Sequence, residues 1–425
     1  MIAILTGGFV LLFLAGIPIV FAMLAAGIGA LIFSGGMPVE LIVQRAVNGL
    51  DNFTFLAIPM FVLAGTIMEE TGIAARLCRL AEAMVGHIPG GLGHAVVVTD
   101  IFFSGMSGST LADASAVASL TYPGLRQSGY SQARATAMIS AVGSIGILFP
   151  PCLTMVIVGA LMGMSITALF LAGLIPGLLM AAGMMVLIYL QARRGTLPRA
   201  QRKFSWRELW IAFRQSIVAL LMPVIMFGGI FGGIFSPTEA AAVAVLYALV
   251  IGIVMRSLSF AEIGRIFVRT AITTATIGLL LGAASGFSTL LSLEMVPSSI
   301  AELMRYLPES PLIFLIVSNI IFVIFGALLD GVAALLLFLP ILMPAARELG
   351  IDPLHFALTS IASLGLGVII PPIGIMLLVI CAVTKAPVGA VGRLMTPYVA
   401  LRALSIAVII IVPWFVLVLP RALGF

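Results

Sequence analysis

Long apolar stretches follow one another along the whole chain, separated by short polar punctuation. None alternates with the period of two that a membrane β-strand shows. A bilayer-crossing helix needs about 20 residues, so the pattern predicts roughly 11 to 13 helical crossings or half-crossings. The first apolar stretch lacks a basic leader and a small-residue cleavage site, and is expected to remain as a helix. Gly16 and Pro18 are positioned to kink or split it.

The polar punctuation orients the helices. The longest polar segment carries Arg193, Arg194, Arg199, Arg202, Lys203, Arg207 and Arg214 against Glu208. Excess Arg and Lys marks cytoplasmic loops, so residues 193–214 are expected to form a basic cytoplasmic loop. Arg256, Arg265 and Arg269 mark the same side two spans later, and Arg76, Arg79, Arg126 and Arg134 mark it two spans earlier. Between the first two of these markers, spans at 215–234 and 237–255 turn at Ser236-Pro237-Thr238-Glu239 on the opposite face. Glu239, just after Pro237 at a helix start, has a structural role there.

The two halves of the chain share their punctuation. A shift of 221 positions places Gly105 on Gly326, Pro123 on Pro344, Arg126 on Arg347 and Gly129 on Gly350. The same shift places Gly146 on Gly367, Pro150-Pro151 on Pro371-Pro372, and Pro176 on Pro397. Upstream, Ala81-Glu82-x-Met84 resembles Ala301-Glu302-x-Met304 at a shift of 220. Spans at 131–164, 166–192, 215–234, 237–255 and 268–292 separate equivalent points, and an odd number of crossings inverts one half relative to the other. Inverted-topology repeats serve alternating access in carriers.

Each half holds two interrupted apolar segments. The first is broken at Ser104-Gly105-Met106-Ser107-Gly108-Ser109-Thr110, leaving arms too short to span, as in a re-entrant hairpin. The second break is at Gly143-Ser144 through Pro150-Pro151, where consecutive prolines remove backbone donors and free upstream carbonyls. The expected fold class is therefore an all-α polytopic membrane protein of inverted-topology repeats, with two re-entrant hairpins and two discontinuous helices. Its expected organisation is 1–88 N-terminal scaffold helices; 89–192 first transport half, with hairpin 91–121 and broken helix 131–164; the loop 193–214; and 215–310 second scaffold helices. Residues 311–425 are expected to form the second transport half, with hairpin 311–345 and broken helix 354–384, followed by a final helix.

Composition excludes rival classes. The chain is 62% hydrophobic and 9% charged, whereas soluble domains are about 25% charged. The net charge of +5 fits cytoplasmic loops and lacks the soluble basic face that nucleic acid needs. Cys78, Cys152, Cys381 and His87, His94, His355 are scattered, so neither a disulfide framework nor a transition-metal site is expected. Walker, nucleophile-elbow and HExxH patterns are absent, so neither an enzyme nor an organic cofactor is expected.

The chemistry should sit at the interruptions. Hydroxyls and freed carbonyls are hard ligands for a small cation, and helix N-termini suit a carboxylate. Asp113 and Asp330 flank the hairpin tips, where each ligates a cation, carries a proton or caps a broken helix; all three readings stand. Asp100 is similar but weaker, and Lys385 is expected to snorkel to the interface.

Several segments resemble the large membrane subunit of tripartite ATP-independent periplasmic (TRAP) transporters, DctM-type. They are Phe55–Gly65, Ser107-Gly-Ser-Thr110, Pro150-Pro151 followed by Ser165–Gly177, Gly233–Ala244 and Leu349–His355. Cys152 departs from this resemblance, since the family commonly has Ser after Pro-Pro. The resemblance covers essentially the whole chain. It implies sodium-coupled, elevator-type uptake of small organic acids across a bacterial inner membrane. It also implies two protein partners, a periplasmic substrate-binding protein and a small four-helix membrane subunit that is not fused to this chain.

Carried over residue by residue, the resemblance and the breaks together nominate Ser104, Ser107, Gly108, Ser109, Gly143, Ser144, Gly326, Asp330 and Gly367 for Na+. For substrate they nominate Thr110, Asp113, Pro150, Pro151, Thr154, Pro371, Pro372 and Gly374. The alternative is a self-sufficient cation-coupled carboxylate carrier or cation/proton antiporter that works without a binding protein.

Overall fold

The computed structural model describes residues 2–34, 38–198, 203–296, 310–329 and 331–425. Asp330, Arg199, Arg202 and the Ala301, Glu302, Met304 triplet lie outside the described residues. Every regular element among the described residues is helical, and nine helical stretches there are long and apolar enough to cross a membrane. Shorter apolar helices occupy 2–14, 19–33, 353–367 and 375–384.

In chain order the helices begin with α1 (Ile2–Leu14), α2 (Ile19–Ser34), α3 (Glu40–Leu50), α4 (Ala57–Glu70) and α5 (Ala74–Val85). Then come the paired arms α6 (Gly91–Ser107) and α7 (Thr110–Gln127), and the interrupted pair α8 (Gln132–Gly143) and α9 (Leu153–Met162). Next are α10 (Ile166–Arg193), α11 (Trp206–Phe231), α12 (Pro237–Val254) and α13 (Phe260–Leu293). The second paired arms are α14 (Pro311–Leu328) and α15 (Gly331–Glu348), and the second interrupted pair is α16 (Pro353–Gly367) and α17 (Ile375–Thr384). The chain closes with α18 (Val388–Ile411) and α19 (Trp414–Ala422).

Polar residues set many of these boundaries. The first apolar stretch splits between α1 and α2, where Gly16 has φ of +83° and Pro18 follows. Ser236 and Glu239 form a reciprocal capping box with Pro237 in the first turn, so Glu239 does serve a helix start. The expected loop at 193–214 is shorter than its charge suggested. The Ser205 hydroxyl accepts from the Glu208 N–H and starts α11 at Trp206, so Arg207 and Arg214 are helical. The hairpin arms α7 and α15 continue to Gln127 and Glu348, beyond the expected ends at 121 and 345. Asp352 caps α16 by accepting from the Leu354 N–H at 2.9 Å, one residue before the expected start.

The repeat extends further than its punctuation. Shifted by 221, α7 (110–127) becomes 331–348, the bounds of α15; α6 (91–107) becomes 312–328 against α14 at 311–328. Likewise α9 (153–162) becomes 374–383 against α17 at 375–384, and α2 (19–34) becomes 240–255 against α12 at 237–254. Residues 40–70, holding α3 and α4, become 261–291 and fall inside the unbroken α13. The difference arises at Asn52, whose side chain accepts from the Thr54 N–H and stabilises a tight turn at Phe53–Leu56. Helix α3 packs on α13, and α4 packs on both α12 and α13.

Repeated glycines let the hairpin arms approach the broken helices. A Cβ on Gly367 would lie 2.8 Å from the Gly326 carbonyl carbon and 2.9 Å from the Ala327 nitrogen. Such backbone contact leaves no room for a methyl group. Gly367→Ala is therefore expected to destabilise the fold by about 1–3 kcal/mol. A lower melting temperature for the detergent-purified protein is the readout; Gly389→Ala, which meets open space, should leave it unchanged.

Candidate functional site

The first hairpin turns at Gly108, whose φ of +70° is open to glycine. A Cβ there would lie 2.7 Å from the Pro151 carbonyl oxygen, so the tip sits directly on the first helix break. The Leu153 N–H donates to the Gly108 carbonyl at 3.2 Å and pins break to tip. Within the tip, the Ser109 N–H donates to Ser107 Oγ at 3.2 Å, and Ser107 Oγ donates to Asp113 Oδ1. Asp113 is fully buried, and its second oxygen has no protein partner. It supports the tip through Ser107 rather than by accepting directly from a backbone N–H at the helix start.

A cavity of about 420 Å³ opens beside this tip. Of the residues nominated from sequence, Ser107, Gly108, Ser109, Thr110, Ser144 and Thr154 line it. Others stand just behind. Gly143 gives α7 its close approach, since a Cβ there would lie 2.5 Å from Ala114 Cβ. Ser104 and Asp100 are buried on α6 and face Gly146 inside the break. Pro150 and Pro151 are buried and joined by a cis bond, as Pro371 and Pro372 are in the second half. Cys152 is buried at the start of α9 and is not part of the cavity wall.

The second half contributes differently. Gly326 and Gly367 are taken up in the contact between α14 and α16, and Pro371, Pro372 and Gly374 lie off the cavity wall. Gly331, Val332, Leu364, Gly365, Val368, Ile375 and Met376 line the cavity instead. The second break is closed locally: the Met376 N–H donates to the Val368 carbonyl at 3.0 Å, and the Gly374 N–H to the Ile370 carbonyl at 2.9 Å.

The remaining wall comes from α4 and α13, where Val62, Thr66 and Glu69 face Arg269, Thr273, Thr276 and Leu280. These residues were missed, although their spacing was informative. Positions 269, 273, 276 and 280 fall on one face of a helix, and three of the four are polar inside an otherwise apolar run. Glu69 and Arg269, both in the cavity wall, pair at 4.0 Å. From Arg269 to Leu280 is a step of 11 residues (280 − 269) along α13, about 16 Å at a helical rise of 1.5 Å. That length of α13 equals roughly half the hydrocarbon thickness of a bilayer.

A multi-span helical protein whose broken helices converge on one intramembrane cavity is built as a membrane transporter. Residues 6–415 match the family described as "Tripartite ATP-independent periplasmic transporter, DctM component", and the chain belongs to that family. It is a multi-pass protein of the bacterial inner membrane, and a transporter rather than an enzyme.

Relatives agree over nearly full length. The sialic acid TRAP transporter large permease protein SiaM of Vibrio cholerae is 37% identical over 418 residues, covering 97% of each chain. The 2,3-diketo-L-gulonate TRAP transporter large permease protein YiaN of Escherichia coli is 37% identical, covering 94% of each. The C4-dicarboxylate TRAP transporter large permease protein DctM of Pseudomonas aeruginosa is 38% identical, covering 88% of each. In fold alone, the chain resembles the YdaH transporter of Alcanivorax borkumensis, with TM-score 0.61, 15% identity, and coverage of 90% of this chain and 89% of that one. It also resembles MtrF of Neisseria gonorrhoeae, with TM-score 0.58, 16% identity, and coverage of 89% and 85%.

Ser107→Ala removes the link between tip and Asp113. It is expected to cost about 1–3 kcal/mol, the penalty for unpairing a buried polar group. A lower melting temperature of the purified protein, with transport reduced at least as far as Ser109→Ala reduces it, is the expected outcome.

Proposed function

We propose that this chain is the large membrane subunit of a sodium-coupled uptake system for small organic acids. The observation that carries the proposal is the cavity itself, shared by the first hairpin tip, both helix breaks and the α4–α13 wall. Its volume suits a small metabolite. The relatives' names specify sialic acid, diketogulonate and C4-dicarboxylates, all carboxylates or their close kin. Backbone N–H groups at the start of α7 and α9, with the Ser109, Thr110 and Thr154 hydroxyls, provide donors for a carboxylate.

Sodium is the coupling ion in this reading, because the site offers hard oxygen donors. Ser107, Ser109 and the carbonyls freed at the first break would hold it, supported by the buried Asp113 carboxylate. Ser104 and Gly143 would support the cation from behind the wall, whereas Gly326 and Gly367 serve the α14–α16 contact and Asp330 lies outside the described residues. Substrate arrives on a periplasmic binding protein, and a small four-helix subunit completes the membrane complex.

The repeats form two inverted, re-entrant hairpin-and-break units that move elevator-fashion against α4 and α13. Arg269 lines the cavity, and Arg265 lies one turn away on α13, at the end of that helix the basic residues mark as cytoplasmic.

The test is uptake of radiolabelled sialic acid, C4-dicarboxylates and sugar acids into proteoliposomes holding this chain and its small subunit. Purified binding protein is added outside, with and without an inward sodium gradient. Uptake of at least one acid is expected only when binding protein and gradient are both present. Equal uptake without the binding protein would instead establish a self-sufficient carrier.

A further inference from the structure

Arg402 lies on α18 within an apolar helix and is only 1% exposed. Its guanidinium Nη2 donates to the Ser144 carbonyl at 3.1 Å, at the point where α8 ends, and Nη1 contacts the Met180 sulfur on α10. Gly365 makes room for it: a Cβ there would lie 2.9 Å from Nη2 and 3.2 Å from the Ser144 oxygen. Across the break, Asp100 and Ser104 are both buried on α6, and Asp100 Oδ1 and Ser104 Oγ have no protein partner. Asp100 Oδ2 lies 3.6 Å from where a Cβ on Gly146 would stand, two residues beyond Ser144, so the acid and the guanidinium flank the same break.

The second half lacks this arrangement. Adding 221 to 100, 104 and 144 gives Ile321, Phe325 and Gly365, and subtracting 221 from 402 gives Ala181. One break therefore carries a buried acid, a hydroxyl and a guanidinium, and the equivalent positions of its symmetry mate carry none of them. A freed carbonyl beside a buried carboxylate attracts a cation, and uncompensated charge at membrane depth is costly. We infer that Arg402 is a tethered cation: its guanidinium occupies the Ser144 carbonyl and balances Asp100, taking the place of a coupling ion at the first break. This deepens the sodium-coupled reading above and rests on it. It also removes the Ser144 carbonyl from the ligands available to sodium.

The experiment measures binding of radioactive sodium to the detergent-purified complex of this chain and its small subunit, with sodium alone as the probe. Arg402→Met leaves Asp100 uncompensated, so the number of sodium ions bound at saturation should rise by one. Asp100→Asn keeps the guanidinium on the carbonyl and should leave that number at the wild-type value. The double variant Asp100→Asn/Arg402→Met carries neither charge and should also bind the wild-type number.

An unchanged sodium count in a folded Arg402→Met overturns the inference, and so does a loss of one ion in Asp100→Asn, which would make Asp100 a sodium ligand. Should Arg402→Met fail to assemble with the small subunit, Arg402→Gln replaces it: its amide can still donate to the Ser144 carbonyl but carries no charge, one further sodium ion is expected, and an unchanged count overturns the inference. A wild-type complex that binds no sodium overturns the coupling itself and the inference with it. A sodium-binding wild type with an unaltered Arg402→Met overturns the inference alone.

Discussion

Inside a bilayer no water is available to the backbone groups that a broken helix exposes, so every interruption must be packed against protein. In this chain the first hairpin tip meets the first break, and the Gly108–Leu153 hydrogen bond joins them. Gly108, Gly143 and Gly367 follow from the same constraint, because the contacts that shield bare backbone leave no space for side chains there. Helix α4 packs on the tip itself, since a Cβ on Gly65 would lie 2.6 Å from Ser107 Cα, and the cavity lies beside that contact with α4 and α13 in its wall.

The two halves satisfy that constraint by different chemistry. The first is polar: Ser107, Asp113, Ser104, Asp100 and Ser144 gather around its tip and break, and Arg402 enters from a distant helix. Among the described residues the second presents an apolar wall to the cavity, with Leu364, Val368 and Met376 there and local backbone bonds closing the break. Among the described residues, a shared backbone plan therefore presents unequal polarity to the cavity. Ions and carboxylates are drawn toward fixed charge and hard donors, so the first repeat is the chemically richer wall of the site.

Much of this was legible before the fold. Glycine and proline act through local backbone geometry, so their register exposed the repeat, the hairpins and the broken helices. Helix ends set by side-chain caps were less visible, as at Ser205 and Asp352, because a serine or aspartate in a polar run caps only when the chain turns there. The correspondence of α3 and α4 with the single helix α13 was also missed, since one Asn52-capped turn erases the similarity of pattern.

By itself the sequence determined the membrane setting, the helical class, the internal repeat, and the hydroxyl-rich tip with its paired Pro-Pro breaks. All of these follow from local composition and spacing, which tertiary packing does not alter. Tertiary structure decided which candidates share a cavity, and it separated Ser107, Ser109 and Thr154 from Gly326 and Gly367, which are spent on helix contact. It also brought Glu69 to Arg269 across 200 residues (269 − 69), and Arg402 to Ser144 across 258. Such pairs are set by how helices distant in the chain stack against one another, and no local pattern along the chain records that.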